Sequence, residues 1–195
     1  MYYKICKDGI FKSIQGEGAN TGKSAIFVRF AGCNMNPRCV FCDEKFDDFD
    51  VMSEYDIYDR IKEMLPVNMI VITGGEPTMN DLTSIVDLLK ANGFYVGIET
   101  NGTNEINCSI DWITCSPKNE YVNIKYADEL KFVIDKSIEK TENFINTIKS
   151  KIDCGRIFLQ PKSNCKDMIE NCLSMICSNP DYELSVQLHK FLNIK

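Results

Sequence analysis

Ala25-Ile-Phe-Val-Arg-Phe-Ala-Gly-Cys-Asn-Met-Asn-Pro-Arg-Cys-Val-Phe-Cys-Asp43 runs from a β-prone apolar segment straight into three closely spaced cysteines. Ala25 to Phe30 reads as a core strand, so Cys33, Cys39 and Cys42 fall in the loop at its C-terminal end. Three thiolates held together can bind a soft metal or an iron-sulfur cluster. A structural zinc knuckle needs four ligands. Neither a second Cys-x2-Cys pair nor a His-x3-5-His pair is present, and the only histidine is His189. Three cysteines around a four-iron cluster leave one iron without a protein ligand, and an open metal position is where a small molecule binds.

Outward from this stretch, short β-prone runs alternate with helical patterns, the signature of parallel βαβ units. A hairpin-like start is expected around Asp8-Gly9. Ser53 is a candidate N-cap for a helix with Ile57, Ile61, Met64 and Leu65 on one face, closed by Pro66. Met69 to Thr73 reads as a buried strand. Asn80 is a candidate cap for a helix faced by Leu82, Ile85, Val86 and Leu89 and ended by Gly93, with Tyr95 to Glu99 as the next strand. Further strands are expected at Trp112 to Cys115, Glu129 to Val133, Arg156 to Gln160 and Leu184 to Gln187, and helices at Ser137 to Ile148 and Lys166 to Cys177. The fold class is α/β: an incomplete TIM-like (β/α) barrel of about six parallel strands, in one domain over residues 1–195.

Composition narrows the function classes. A net charge of −6 with dispersed Lys and Arg argues against a duplex-binding face, which needs clustered cations. No apolar run approaches the roughly 18 residues that span a bilayer, so no membrane partner is expected. The start, Met-Tyr-Tyr-Lys-Ile-Cys, carries no charged n-region followed by an apolar h-region. A cytoplasmic location with reduced thiols is therefore expected. Cys6, Cys108, Cys115, Cys154, Cys165, Cys172 and Cys177 lack metal spacing and read as small core residues.

In open α/β folds ligands bind at the C-terminal ends of the strands. Those ends are polar here: Thr73-Gly-Gly-Glu-Pro77, Glu99-Thr-Asn-Gly102, Ser116-Pro-Lys118 and Gln160-Pro-Lys-Ser163. Gly74-Gly75 lets backbone approach a ligand closely, and Glu76 can accept hydrogen bonds from an ammonium group.

These motifs resemble the radical S-adenosylmethionine (SAM) superfamily and, within it, the 7-carboxy-7-deazaguanine synthases. The resemblance rests on Phe11-Lys-Ser-Ile-Gln-Gly-Glu-Gly18, Phe27 to Cys33, Cys39-Val-Phe-Cys-Asp43, the four strand-end motifs, Asp128-Glu-Leu-Lys131 and Leu184-Ser-Val-Gln-Leu-His-Lys190. It implies that Cys33, Cys39 and Cys42 ligate a 4Fe-4S cluster whose open iron chelates SAM. The implied reaction converts 6-carboxy-5,6,7,8-tetrahydropterin to 7-carboxy-7-deazaguanine with loss of ammonia. The electron would come from a donor such as flavodoxin or ferredoxin, and the chain would form a homodimer.

Carried onto this sequence, the SAM contacts are Phe41, Cys42, Asp43, Gly74, Gly75, Glu76, Ser116, Pro117, Lys118, Gln160, Pro161, Lys162 and Ser163. The substrate contacts are Ile14, Gln15, Gly16, Glu17, Arg29, Thr73, His189 and the terminal Lys195. The Arg29 fork suits a carboxylate. Two departures stand out. Five residues, Asn34 to Arg38, separate the first two cysteines, where three are usual. Glu44 occupies the place of a threonine that helps hold Mg2+, and its carboxylate is a hard donor for that ion. Two other function classes remain to be weighed: an activase that installs a glycyl radical on a partner protein, and a non-catalytic iron-sulfur or zinc protein.

Overall fold

The computed structural model describes residues 1–42, 44–135 and 137–194. Among these residues nine strands form one sheet: β1 (Tyr2–Ile14), β2 (Ser24–Phe30), β3 (Phe49–Ser53), β4 (Met69–Gly74), β5 (Tyr95–Thr100), β6 (Trp112–Cys115), β7 (Tyr126–Ile134), β8 (Asp153–Pro161) and β9 (Tyr182–Leu184). The spatial order is β3-β1-β2-β4-β5-β6-β7-β8-β9. From β2 onward in that order every pairing is parallel. The parallel part thus has seven strands, and β1 and β3 extend it antiparallel at one edge.

That edge departs from the sequence expectation. Asp8-Gly9 makes no hairpin; it is an irregularity inside β1, where the register against β2 shifts between Ile5 and Ile10 and Asp8 adopts a left-handed φ of 53°. A bulge lets one long strand pair with β3 through its first half and with β2 chiefly through its second. The short β3, whose first three residues are exposed, carries too little apolar alternation to be read from sequence.

Helix α1 (Glu54–Lys62) opens with a reciprocal capping box. Asp56 N–H donates to Ser53 Oγ at 3.2 Å, and Ser53 N–H to Asp56 Oδ2 at 2.8 Å. Its Ile57 and Ile61 are fully buried, whereas Leu65 lies beyond the helix end and is 56% exposed. Helix α2 (Thr83–Ala91) has Leu82 at its N-cap with no side-chain cap, and Asp81 just before it accepts from Thr83 N–H at 3.0 Å. The expected cap, Asn80, donates to the Pro77 carbonyl instead. Gly93 follows with a φ of +81°, which only glycine adopts freely.

Helices α3 (Ile138–Lys149) and α4 (Lys166–Ser178) cover the second half of the sheet. The core forms two clusters, one around Phe30, Ile72, Ile85 and Leu89, the other around Leu130, Phe132, Ile145 and Leu159. Each such side chain contributes about 1.5 to 3 kcal/mol on burial. Cys165 and Cys177 are exposed on α4 rather than in the core. The last strand ends at Leu184, the first residue of the expected span, and Leu188–Leu192 form a short α5.

The passages from β5 to β6 and from β6 to β7 contain no helix. Irregular loops run there instead, and they carry Asn101, Ser116 and Lys118 over the C-terminal ends of the parallel strands.

Candidate active site

Two adjoining hollows open at those strand ends. The first is lined by Cys33, Cys39 and Cys42 together with Phe41, Gly74, Gly75, Ser116, Lys118, Gln160, Lys162 and Ser163, and has about 1000 Å3 of space including its mouth. The second is lined by Ile14, Gln15, Gly16, Glu17, Arg29, Thr73 and His189, with Glu44, Phe11 and Phe27. Glu17, Thr73, Glu99, Gln187 and Lys190 border both. Most of the residues expected to hold a cofactor border the first hollow and most of those expected to hold a substrate border the second, with Glu17 and Thr73 bordering both. The expected contacts Asp43 and Lys195 lie outside the described residues.

The glycine pair after β4 is required by chain packing. Gly74 has a φ of +134°, and a Cβ there would stand 2.0 Å from the Phe30 carbonyl oxygen; one on Gly75 would stand 1.8 Å from that of Gly32. Gly75 N–H donates to Phe30 O at 3.0 Å and Glu76 N–H to Gly32 O at 2.9 Å. These bonds stitch the Gly-Gly turn to the junction of β2 and the cysteine loop. The sequence reading gave the glycines to a ligand; what crowds them is backbone.

Gly74 and Gly75 border the first hollow, whereas Glu76 stands behind it. Glu76 is 1% exposed and does not border either hollow. Its carboxylate accepts from Thr78 N–H and Oγ1 at 3.2 and 2.6 Å, Thr100 Oγ1 at 2.6 Å and Asn101 N–H at 2.6 Å. Three of these donors meet Oε1 and one meets Oε2, so the carboxylate is held chiefly by its own protein neighbours. Glu76 fixes Asn101, whose amide in turn donates to Asn34 Oδ1 of the cysteine loop at 2.9 Å. Pro117 and Pro161 likewise stand outside the lining and stiffen the chain beside residues that form it.

On the wall opposite, Lys118 Nζ donates to Ser116 Oγ at 2.6 Å and lies 5.6 Å from the centre of the Phe41 ring. Burial lowers the Lys118 ammonium below its ordinary range, and repulsion from Lys131 adds to the fall. Gln160 Nε2 donates to Glu17 Oε1 at 3.2 Å, and its carbonyl accepts from Ser185 at 3.0 Å.

The partition between the hollows is a buried ionic network. Lys131, 3% exposed, donates to Glu17 Oε2 at 2.5 Å and Glu99 Oε2 at 3.1 Å. Gln187 Nε2 donates to Glu17 Oε1 at 2.9 Å, and Gln15 Nε2 to Glu99 Oε1 at 2.8 Å. Burial alone would raise the Glu17 carboxyl, but Lys131 outweighs it and holds the group at about 2. Burial opposes the charge on Lys131 as well, yet Glu17 and Glu99 keep it above its ordinary value. Beneath them burial pushes the Glu129 carboxyl up, while Ala19 N–H and Thr114 Oγ1 bond to it at 2.8 and 3.0 Å.

At the mouth of the second hollow Arg29 pairs with Glu44. The Arg29 guanidinium lies 5.9 Å from the Phe11 ring centre, and Phe11 stacks on Phe27 at 5.1 Å. The C-terminal segment closes the other side: Leu188 N–H donates to Gly16 O at 2.9 Å, and a Cβ on Gly16 would meet His189 Nδ1 at 2.6 Å.

A family model described as the Radical SAM superfamily matches residues 27–172. The 7-carboxy-7-deazaguanine synthase of Bacteroides thetaiotaomicron is 37% identical over 188 residues, covering 95% of this chain and 96% of its own length. That of Neisseria meningitidis serogroup B is 38% identical over 209 residues, covering 99% and 94%. The chain belongs to the 7-carboxy-7-deazaguanine synthase family of the radical SAM superfamily. The crystal structure of QueE from Escherichia coli superposes with a TM-score of 0.81 at 28% identity, covering 97% of this chain and 95% of that one.

Membership in the radical SAM superfamily brings a 4Fe-4S cluster and SAM as cofactors. The residues fit them. All three loop cysteines are free thiols bordering one hollow, with Met35, Phe41 and Phe46 as apolar neighbours and no carboxylate or imidazole interposed from the loop's described residues. A soft, sulfur-only donor set suits iron-sulfur ligation. Among the described residues no three His, Cys, Asp or Glu side chains converge on one point as a mononuclear metal site would require.

Glu99, Asn101, Lys131, Gln187 and Lys190 join the lining although sequence reasoning assigned them no role. Each belongs to one of the quoted motifs at a strand end or in the C-terminal segment. What was missing was the pairing: nothing in one dimension puts Lys131 between Glu17 and Glu99.

Proposed function

We propose that this chain, as one domain over residues 1–195, converts 6-carboxy-5,6,7,8-tetrahydropterin to 7-carboxy-7-deazaguanine with loss of ammonia in queuosine-type 7-deazapurine biosynthesis. The observation that carries this reading is the shared wall: Glu17, Thr73 and Glu99 border both hollows, so a molecule in the second faces whatever occupies the first. When bound, the cluster and SAM supply a 5'-deoxyadenosyl radical, and the protein's part is to orient and shield it.

In this reading Cys33, Cys39 and Cys42 ligate the cluster. Phe41, Gly74, Gly75, Ser116, Lys118, Gln160, Lys162 and Ser163 hold SAM. The hydroxyl of Ser116 and the amide of Gln160 offer directed hydrogen bonds, and Phe41 offers an apolar face. Gln15, Gly16, Glu17, Thr73 and His189 hold the substrate, and the Arg29 fork takes its carboxylate. Lys131 keeps the Glu17 carboxylate ionised, so it acts as an acceptor for the N–H groups of a pterin edge.

Glu44 is proposed to meet Mg2+. One carboxylate from the chain, with substrate and water supplying the rest, is a usual way for this ion to bind. Arg29 would then exchange Glu44 for the substrate carboxylate. A low-potential donor such as flavodoxin or ferredoxin would deliver the electron. A cytoplasmic homodimer is proposed, supported by the exposed apolar side chains Tyr2 and Val51 on the β1–β3 edge. Among the described residues no helix is long and apolar enough to cross a membrane.

Turnover of 6-carboxytetrahydropterin, and none of the same ring lacking the carboxylate, is the expected result with cluster-loaded protein. Equal turnover of both would remove Arg29 from its role, and turnover of neither would remove the substrate class. The activase reading has no comparable support, because the second hollow is walled by Gln15, Arg29 and His189 on a small-molecule scale.

A further inference from the structure

Arg38 is the last residue of the five-residue segment between Cys33 and Cys39. It is exposed, yet both faces of its guanidinium role are defined. Its Nη2 lies 3.4 Å from Cys42 Sγ, and its Cζ lies 4.7 Å from the centre of the Phe46 ring. Phe46 borders the same hollow as the three cysteines. A planar cation stacked on an aromatic ring keeps its edge N–H groups available in a fixed plane. The thiol it meets belongs to the Cys39-Val-Phe-Cys42 turn, closed by Cys42 N–H donating to Cys39 O at 3.0 Å. Val40, at the tip of that turn, is 92% exposed.

We infer that Arg38 is a positioning residue that tunes the cluster: its guanidinium donates a hydrogen bond to the Cys42 sulfur and raises the cluster's reduction potential. The physical ground is charge balance. Reduction adds one electron to the cluster and removes one from the external one-electron donor, with no bond broken. An N–H···S bond and an adjacent cation stabilise the more negative, reduced state, and hydrogen bonds to ligand sulfur are a main lever on iron-sulfur potentials. The longer loop would thereby bring a cation to one of the ligand sulfurs.

This inference rests on the three cysteines ligating the cluster, as proposed above, and the test separates the two. Arg38→Gln, Arg38→Lys and the parent protein are reconstituted anaerobically, analysed for iron and sulfide, and titrated potentiometrically with the reduced cluster read by electron paramagnetic resonance. Lys45→Gln, which removes a cation of the same loop whose side chain makes no bond to Cys33, Cys39 or Cys42 sulfur among the described contacts, its backbone carbonyl accepting only from Cys6 Sγ at 3.8 Å, is the charge control. The expected result is equal cluster content, a potential lowered in Arg38→Gln, a smaller fall in Arg38→Lys, and the smallest change in Lys45→Gln. Potentials equal to the parent in both Arg38 variants at full cluster content would overturn the inference. So would loss of cluster content in Arg38→Gln with a parental potential in Arg38→Lys, because Arg38 would then be only a strap for the loop. Failure of the parent to take up any cluster would instead overturn the ligand assignment beneath it.

Discussion

The ammonium of Lys131 on β7 and the carboxylate of Glu17 after β1 form a buried ion pair in the wall that separates the two hollows. Lys131 is buried and Glu17 nearly so, and Glu99, Gln160 and Gln187 complete the hydrogen bonding. Lys131→Met should therefore cost about 3 to 5 kcal/mol in urea unfolding, because removing one partner leaves the other buried and unpaired. A loss below about 1 kcal/mol would mean that the pair is solvated.

The same pair sets a pH dependence. Glu17 titrates at about 2 when folded against an ordinary 4.5, so its contribution to stability is complete above 4.5 and is lost as pH falls from there toward 2. The stability gap between the parent and Glu17→Gln should narrow steadily across that acid range. A constant gap would show that Lys131 does not hold the carboxyl down.

Gly75→Ala tests the contact between the two loops. The added methyl would meet the Gly32 carbonyl, so the Gly-Gly turn or the cysteine loop must shift. Expected are a destabilisation of about 1 to 3 kcal/mol by overpacking and weakened SAM binding. Unaltered melting temperature and SAM affinity would contradict the packing account.

Arg29→Met should raise KM for the pterin roughly 10- to 100-fold, the usual worth of a charge-assisted hydrogen bond. SAM binding should be unaffected, since Arg29 borders only the second hollow. An unchanged KM would leave Arg29 as no more than the partner of Glu44.

Ser53→Ala removes the reciprocal cap of α1, far from the hollows, and should lower stability by about 1 kcal/mol with activity unchanged. A loss of activity at full folding would mean that α1 is coupled to the site.

The parallel strands and the helices that cover them were legible because their apolar periodicity is strong: Ile70, Ile72, Ile85, Leu89 and Ile145 all bury where the pattern puts them. The antiparallel edge was not. A left-handed Asp8 inside a strand looks like a turn until its partners are known, and β3 is too short and exposed to show a period. At the site, residue types at strand ends pointed to the cysteines and to the polar lining. Which carboxylate meets solvent and which is consumed internally depends on three-dimensional donors. That is why Glu76 lies behind the lining rather than in it, and why the place of Lys131 between two carboxylates is invisible in one dimension.

The central claim is tested most directly by incubating anaerobically reconstituted protein with SAM, a low-potential reductant and 6-carboxytetrahydropterin, and measuring 5'-deoxyadenosine and 7-carboxy-7-deazaguanine by mass. Both products, formed only when all components are present, are predicted. Deoxyadenosine without the deazaguanine, from protein with a full cluster, would contradict the assignment of the second hollow to a pterin.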